Sequence, residues 1–180
     1  MNFVLIFLIL IVLWAVVAYN GLISLRARVD NAWAQIDVQL KRRFDLIPNL
    51  VNTVKGYAQH ERETLEKVTE ARTKYMSAQT PDEKMEANNQ LAGVLGRLFA
   101  VAESYPDLKA NTSFLDLQNQ LKETEDKIGF SRQFYNDTAM KYNVGIARVP
   151  TSIIASIFGF KGRPYFEAEG ESRERVEVKF

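Results

Sequence analysis

The chain has 180 residues, room for one ordinary domain plus a short extra element but not for two full globular domains. Its 23 Lys and Arg and 22 Asp and Glu nearly cancel, so no bulk charge argues for nucleic acid as a partner. Cysteine is absent, which excludes disulfides, thiolate metal sites, a cysteine nucleophile and a lipoprotein cysteine together.

Charge is unevenly placed. No charged side chain occurs in residues 1–25, and residues 3–19 (FVLIFLILIVLWAVVAY) form an unbroken apolar run. At 1.5 Å per helical residue, such a run with its uncharged continuation reaches roughly 26–33 Å, the thickness of a bilayer's hydrocarbon core. Thirteen of these seventeen residues are Leu, Ile, Val or Phe, which together favour insertion by about 4–8 kcal/mol. Trp14 and Tyr19 stand toward the end of the run, where amphipathic rings meet the headgroups. A cleaved signal peptide would require a positive N-terminal region, and only Met-Asn precedes the run. The sequence therefore predicts a retained single-pass anchor in the membrane of a cell. Cations follow the span (Arg26, Arg28, Lys41, Arg42, Arg43) and none precedes it, which predicts a cytoplasmic bulk and an N-terminus outside.

Beyond the anchor, apolar residues recur at spacings of three and four. Leu22, Leu25, Val29, Ala32, Ile36 and Leu40 make one stripe that runs directly out of the apolar segment. Residues 43–49 (RFDLIPN) punctuate it, and Pro48 predicts a helix start or a kink there. A second stripe follows through Val51, Val54, Ala58, Leu65, Val68, Ala71 and Tyr75. Thr80, Pro81 and Glu83 are spaced as a capping box opening a third helix, which carries Met85, Leu91, Leu95, Leu98 and Ala102 and ends near Tyr105-Pro106. The fourth is the most regular: Phe114, Leu117, Leu121, Thr124, Ile128, Ser131, Tyr135, Thr138 and Tyr142, closed by Gly145 and Pro150.

Residues 151–160 (TSIIASIFGF) are apolar but too short to span a bilayer. They dock on the bundle, lie in the membrane interface, or bind another subunit. Residues 163–180 read as either a solvated tail or an edge strand. The predicted fold is all-α: an N-terminal transmembrane helix continuing into an antiparallel up-and-down bundle of long helices, then a short irregular or strand-like C-terminal tail. The corresponding divisions are 1–25 for the transmembrane anchor, 26–149 for the bundle, and 150–180 for the apolar segment and tail.

The sequence offers no catalytic constellation. A di-iron bundle needs paired Glu-x-x-His motifs, and the single histidine, His60, has no Glu three residues before it and reads as a solvated helix residue. No Ser–His elbow and no phosphate-binding glycine loop is present. No metal, cofactor or enzyme activity is expected. Residues 30–52 (DNAWAQIDVQLKRRFDLIPNLVN) do stand out, because Trp33, Asp37, Arg42, Arg43 and Asp45 mix charge with large apolar groups. They form either an ion-pair and capping network at a helix junction or a contact surface for another subunit. Asp37 and Lys41, four apart, predict a helical ion pair.

The segment NAWAQIDVQLKRRFDLIPNLVNTVKGYAQHE, followed by YPDLKANTSFLDLQNQLKETEDKI and RQFYNDTAMKYN, resembles the LemA family of bacterial membrane proteins. The matching residues are Asn31, Trp33, Asp37, Arg42, Arg43, Asp45, Pro48 and Asn49 in the first block, and Tyr105, Pro106, Leu108, Lys109 and Asn111 in the second. The resemblance implies a membrane helix followed by an antiparallel helical bundle in a bacterial cell membrane, and it implies no reaction. Two functions compete. One is a non-catalytic scaffold that assembles with copies of itself on the bilayer; the other is an adaptor binding a different membrane protein in signalling or quality control.

Overall fold

The computed structural model describes residues 2–58 and 60–166. They form six helices: α1 (Asn2–Lys55), α2 (Arg62–Ser77), α3 (Pro81–Ala102), α4 (Pro106–Lys109), α5 (Thr112–Ala147) and α6 (Thr151–Ile157). Among the described residues there is no strand. By packing, the chain divides into two units. One comprises residues up to Gln35 together with those from Phe130 onward; the other comprises Ile36–Gly129.

In the first unit, residues 3–14 of α1 present every large apolar side chain to the outside, each at least 38% exposed. One segment of α1 is long and apolar enough to cross a membrane. Burial begins at Leu22, which packs with Ile154 and Ala155 of α6, flanked by Ala15, Ala18, Tyr19, Ile146 and Phe160. The apolar segment after Pro150 is thus a short helix packed chiefly on the anchor residues Ala15, Ala18, Tyr19 and Leu22, with Ile146 of α5, and not on the bundle alone. Its other face leaves Ile153, Ile157 and Phe158 exposed. Of the expected C-terminal tail, residues 161–166 lack regular secondary structure, and the alternating end from Arg175 lies outside the described residues.

The second unit buries one face of each long helix: Ile36, Leu40, Phe44, Ile47, Leu50 and Val54 of α1; Leu65, Val68, Ala71 and Tyr75 of α2; Met85, Leu91, Leu95 and Leu98 of α3; Phe114, Leu117, Leu121 and Ile128 of α5. Phe44 stacks on Tyr75, ring centroids 4.1 Å apart, and Phe99 meets Phe114 edge-on at 6.1 Å. Thr124 is buried with its hydroxyl donating to the Leu121 carbonyl at 2.8 Å, which is how a polar residue fits the stripe of α5.

Three expectations change. No helix starts at residues 43–49: α1 runs through Pro48 to Lys55. A proline inside a helix costs about 3 kcal/mol. Burying Phe44, Ile47, Leu50 and Val51 around it returns roughly 1.5–3 kcal/mol per side chain, so packing wins. The second stripe belongs to two helices, because the chain breaks after Lys55 at Gly56 and Tyr57 and resumes at Arg62. His60 lies in that turn, exposed, and not on a helix. The capping box at α3 forms as its spacing implied: the Thr80 hydroxyl accepts from the Glu83 amide at 3.2 Å, and Glu83 accepts from the Thr80 amide at 3.1 Å. The amides of Gln79 and Thr80 hold the Glu83 carboxyl below the usual carboxylate range.

Replacing Thr80 by Ala removes the first half of this box. We expect a loss of about 1 kcal/mol, read as a thermal midpoint lowered by about 2–4 °C in circular dichroism of the detergent-solubilised chain. An unchanged midpoint would show that the cap contributes nothing.

Candidate functional site

The helical registers bring most of the first motif block's charge into the second unit. Arg43 sits on the buried face of α1, only 3% exposed. Its Nη1 donates to Asn88 Oδ1 of α3 at 2.6 Å and pairs with the Glu125 carboxylate of α5, itself about half exposed. One guanidinium therefore joins three helices. Burial pulls its pKa below the ordinary guanidinium range, and the Glu125 charge opposes that pull. The pair opens onto a surface cleft lined by Leu95, Gly96, Phe99 and Leu121 as well as by Arg43 and Glu125.

Six residues earlier, Asp37 pairs with Lys84 of α3 at 2.6 Å, and not with Lys41 as helical spacing suggested. The tertiary partner prevails because both groups are partly shielded and the Lys84 ammonium also lies 5.9 Å from the centre of the Tyr75 ring. Burial, followed by the nearby Asp37 and Asp45 carboxylates, pushes the Tyr75 phenol up to about 12.

The second motif block does a different job. Asn111 accepts from the Phe114 amide through its side chain (3.0 Å) and from the Leu115 amide through its carbonyl (3.1 Å), so it caps α5. Its amide also donates to the Tyr57 hydroxyl at 3.0 Å, and the Tyr105 hydroxyl donates to Glu61 at 3.2 Å. Those two bonds tie the connection between α1 and α2 to the two ends of α4, at Tyr105 before it and Asn111 after it. Pro106 opens α4, Leu108 is buried beneath it, and Lys109 pairs with Glu103.

The two blocks do not meet at one site. Asn31, Arg42, Asp45, Pro48 and Asn49 are exposed along α1, with the Asn49 carbonyl accepting from the Thr53 hydroxyl. Trp33 lies in the first unit, 5.8 Å from the Phe166 ring. Asn88, Lys84, Tyr75, Tyr57, Glu61 and Glu125 were missed as partners. Only Asn88 carried a signal, as a polar residue spaced three from both Met85 and Leu91 on an otherwise apolar face. Among the described residues no three His, Asp or Glu side chains converge as a metal site requires. What the Arg43 cluster can do is hold three helices at fixed rotations.

Two outcomes check this. Glu125→Ala leaves the Arg43 charge inside with only Asn88; we expect a loss of about 1–3 kcal/mol, below the range of fully buried pairs because Glu125 is half exposed. The double variant Arg43→Met with Glu125→Leu should recover most of it in the same unfolding measurement. Secondly, a phenol that titrates higher in the folded chain than in the unfolded chain keeps its proton longer when folded. Its contribution is complete below pH 10 and lost as pH rises toward 12. Wild-type stability should therefore fall more steeply over that interval than that of Tyr75→Phe.

Comparison with known proteins agrees with the motif blocks. The sequence model of the LemA family matches residues 32–180. The chain is 26% identical over 175 residues to magnetosome protein MamQ 2 of Paramagnetospirillum magneticum, covering 83% of this chain and 64% of that protein. It is 29% identical over 160 residues to protein LemA of Metamycoplasma hominis, covering 88% and 72% respectively. Similarity to MamQ of Magnetospirillum gryphiswaldense is 25% over 174 residues, covering 82% and 64%. The chain thus spans just under two thirds of the length of these MamQ proteins. The family match takes in the second block whole and the first except for Asn31; this chain belongs to the LemA family.

Proposed function

We propose that this chain is a single-pass membrane protein whose helical part, arranged as an antiparallel bundle, serves as a non-catalytic scaffold that associates with copies of itself. The observation that carries the reading is the uncovered run at the start of α1. Twelve successive residues, 3–14, are apolar and exposed while the rest of the same helix buries a regular face. In water such a surface has no counterpart; in lipid it is the ordinary state of a spanning helix. The boundary falls near Tyr19, whose ring contacts Phe158 at 4.7 Å and Phe160 at 5.8 Å. These aromatic groups, with the exposed Ile153 and Ile157 of α6, suit a membrane–water interface. Arg26 and Arg28 follow the span, and Arg148 and Lys161 flank α6; cations on that side favour a cytoplasmic bundle. The use of Arg43 to join α1, α3 and α5 through Asn88 and Glu125 supports a structural role.

The full chain should remain with membranes through alkaline extraction. Substituting both Ile9 and Leu10 by Arg removes about 6–8 kcal/mol of insertion free energy and should release it. Light scattering of the detergent-solubilised protein should give a mass of several multiples of 20.6 kDa. A monodisperse monomer at all concentrations overturns self-association, and predominantly heterologous crosslinks in native membranes point to the adaptor role.

A further inference from the structure

The segment at 161–166 lies along α1 and α5 within the first unit, and its contacts have the form of a peptide-binding site. Asn143 of α5 donates from Nδ2 to the Arg163 carbonyl at 2.8 Å while its Oδ1 accepts from the Arg163 amide at 2.8 Å. Seven residues earlier, Asn136 does the same to Phe166, at 2.8 and 2.9 Å. Each carboxamide thus presents a donor and an acceptor to one residue's backbone, as a neighbouring β-strand would. The spacing fits: seven helical residues rise about 10.5 Å, and three extended residues cover about 10 Å. Side-chain selection is added on top. Arg163 pairs with Asp30 of α1 at 2.7 Å. The Phe166 ring is surrounded by Tyr135 at 4.8 Å, Trp33 at 5.8 Å and the Arg132 guanidinium at 5.8 Å. Pro164, which has no amide hydrogen, falls between the two clamped residues, where none is required.

The site therefore reads an extended peptide with a basic residue first and an aromatic residue fourth. We propose that its ligand in the assembled protein is the 163–166 segment of a second copy, exchanged between neighbouring chains. Three observations favour that occupant. The complementary peptide is carried by every copy. It follows Gly159, whose φ of +68° is a left-handed turn that glycine adopts without strain, and Gly162, where a Cβ would approach Asn143 Oδ1 to 3.4 Å. And the contacts that hold it are side-chain hydrogen bonds, one partly exposed ion pair and the packing of the single Phe166 ring on Tyr135, Trp33 and Arg132, none of them a backbone bond within α1 or α5. Anchoring in one membrane concentrates the copies, which favours closure between chains. This rests on the self-associating reading above and gives that reading a contact.

The test uses two full-length variants reconstituted in detergent with different fluorophores. Asn136→Ala with Asn143→Ala removes the clamp but keeps the segment; Arg163→Ala with Phe166→Ala strips the segment of its ion pair and ring contacts, leaving only its backbone bonds to an intact clamp. Mixed together they can form one intact exchanged contact, and energy transfer should rise at least threefold over either variant alone. Transfer no higher in the mixture overturns exchange, while equal transfer in every sample leaves association through another surface standing. A labelled peptide of residues 160–166 provides a second measurement that does not depend on oligomers. It should bind the Arg163→Ala, Phe166→Ala protein at least tenfold more tightly than wild type, whose own segment competes. Further substitution of Asn136 by Ala should abolish that gain. Equal binding by all three overturns the site itself. Circular dichroism of each variant separates loss of binding from loss of fold.

Discussion

The fold depends on α1 keeping an unbroken helical backbone while what surrounds it changes. A helix satisfies its own amides and carbonyls, the condition that an apolar environment imposes, so residues 3–14 can be apolar on all sides. From Leu22 onward only one face is buried. The steps along that face are not uniform: Ala32, Ile36, Leu40 and Phe44 follow each other at intervals of four. Each such step carries the face about 40° around the axis, so three move it by about 120°. The buried surface widens as a result, and adjacent residues are covered together, Arg43 with Phe44 and Leu50 with Val51. This is why Arg43 lies inside while Arg42, 100° away, stays in solvent.

What could be read from the sequence was local. The apolar run, the stripes of α3 and α5 and the capping box all rest on interactions within one helical turn or on a periodicity that burial preserves. The helix start that Pro48 suggested does not occur, because its local penalty is plain in sequence whereas the burial that outweighs it is not. The break at residues 56–61 was hidden for the opposite reason: apolar spacing continues across Ala58, which is buried in a turn. Partners of the motif residues were out of reach, since Arg43 bonds across 45 and 82 residues and Asp37 across 47. Pattern reasoning could place Arg43 near other charges but could not choose between an exposed contact surface and an interior tie.

That tie suits registry better than raw stability. A well-packed apolar replacement of a buried ion pair is often neutral or stabilising, so the free energy gained is a poor reason for having one. A guanidinium that must face both an amide oxygen and a carboxylate, however, admits few rotations of the helices bearing them. Apolar stripes tolerate sliding and rotation; a directional donor does not. The buried threonines impose no such restriction, because Thr124 and Thr138 return their hydroxyls to their own helix at Leu121 and Phe134. Polar groups in these cores are therefore of two kinds, those satisfied locally and those that select a partner, and only the second can specify an arrangement.

The same distinction explains the form of residues 161–166. An extended segment in a helical surrounding has no neighbouring strand to accept its amides or donate to its carbonyls, and unpaired backbone groups are costly wherever water is displaced. Side chains must supply the missing partners. The Tyr142 hydroxyl donates to the Lys161 carbonyl at 2.9 Å, and the two asparagines complete Arg163 and Phe166. Asn is suited to this because its short stem holds a carboxamide at fixed distance from the helix, with both hydrogen-bonding functions in one plane. A seven-residue interval brings two such groups to the same face of α5, since seven residues amount to about two helical turns. The segment is thereby recognised through its backbone first and its sequence second, and that order is what allows an identical segment from elsewhere to take its place.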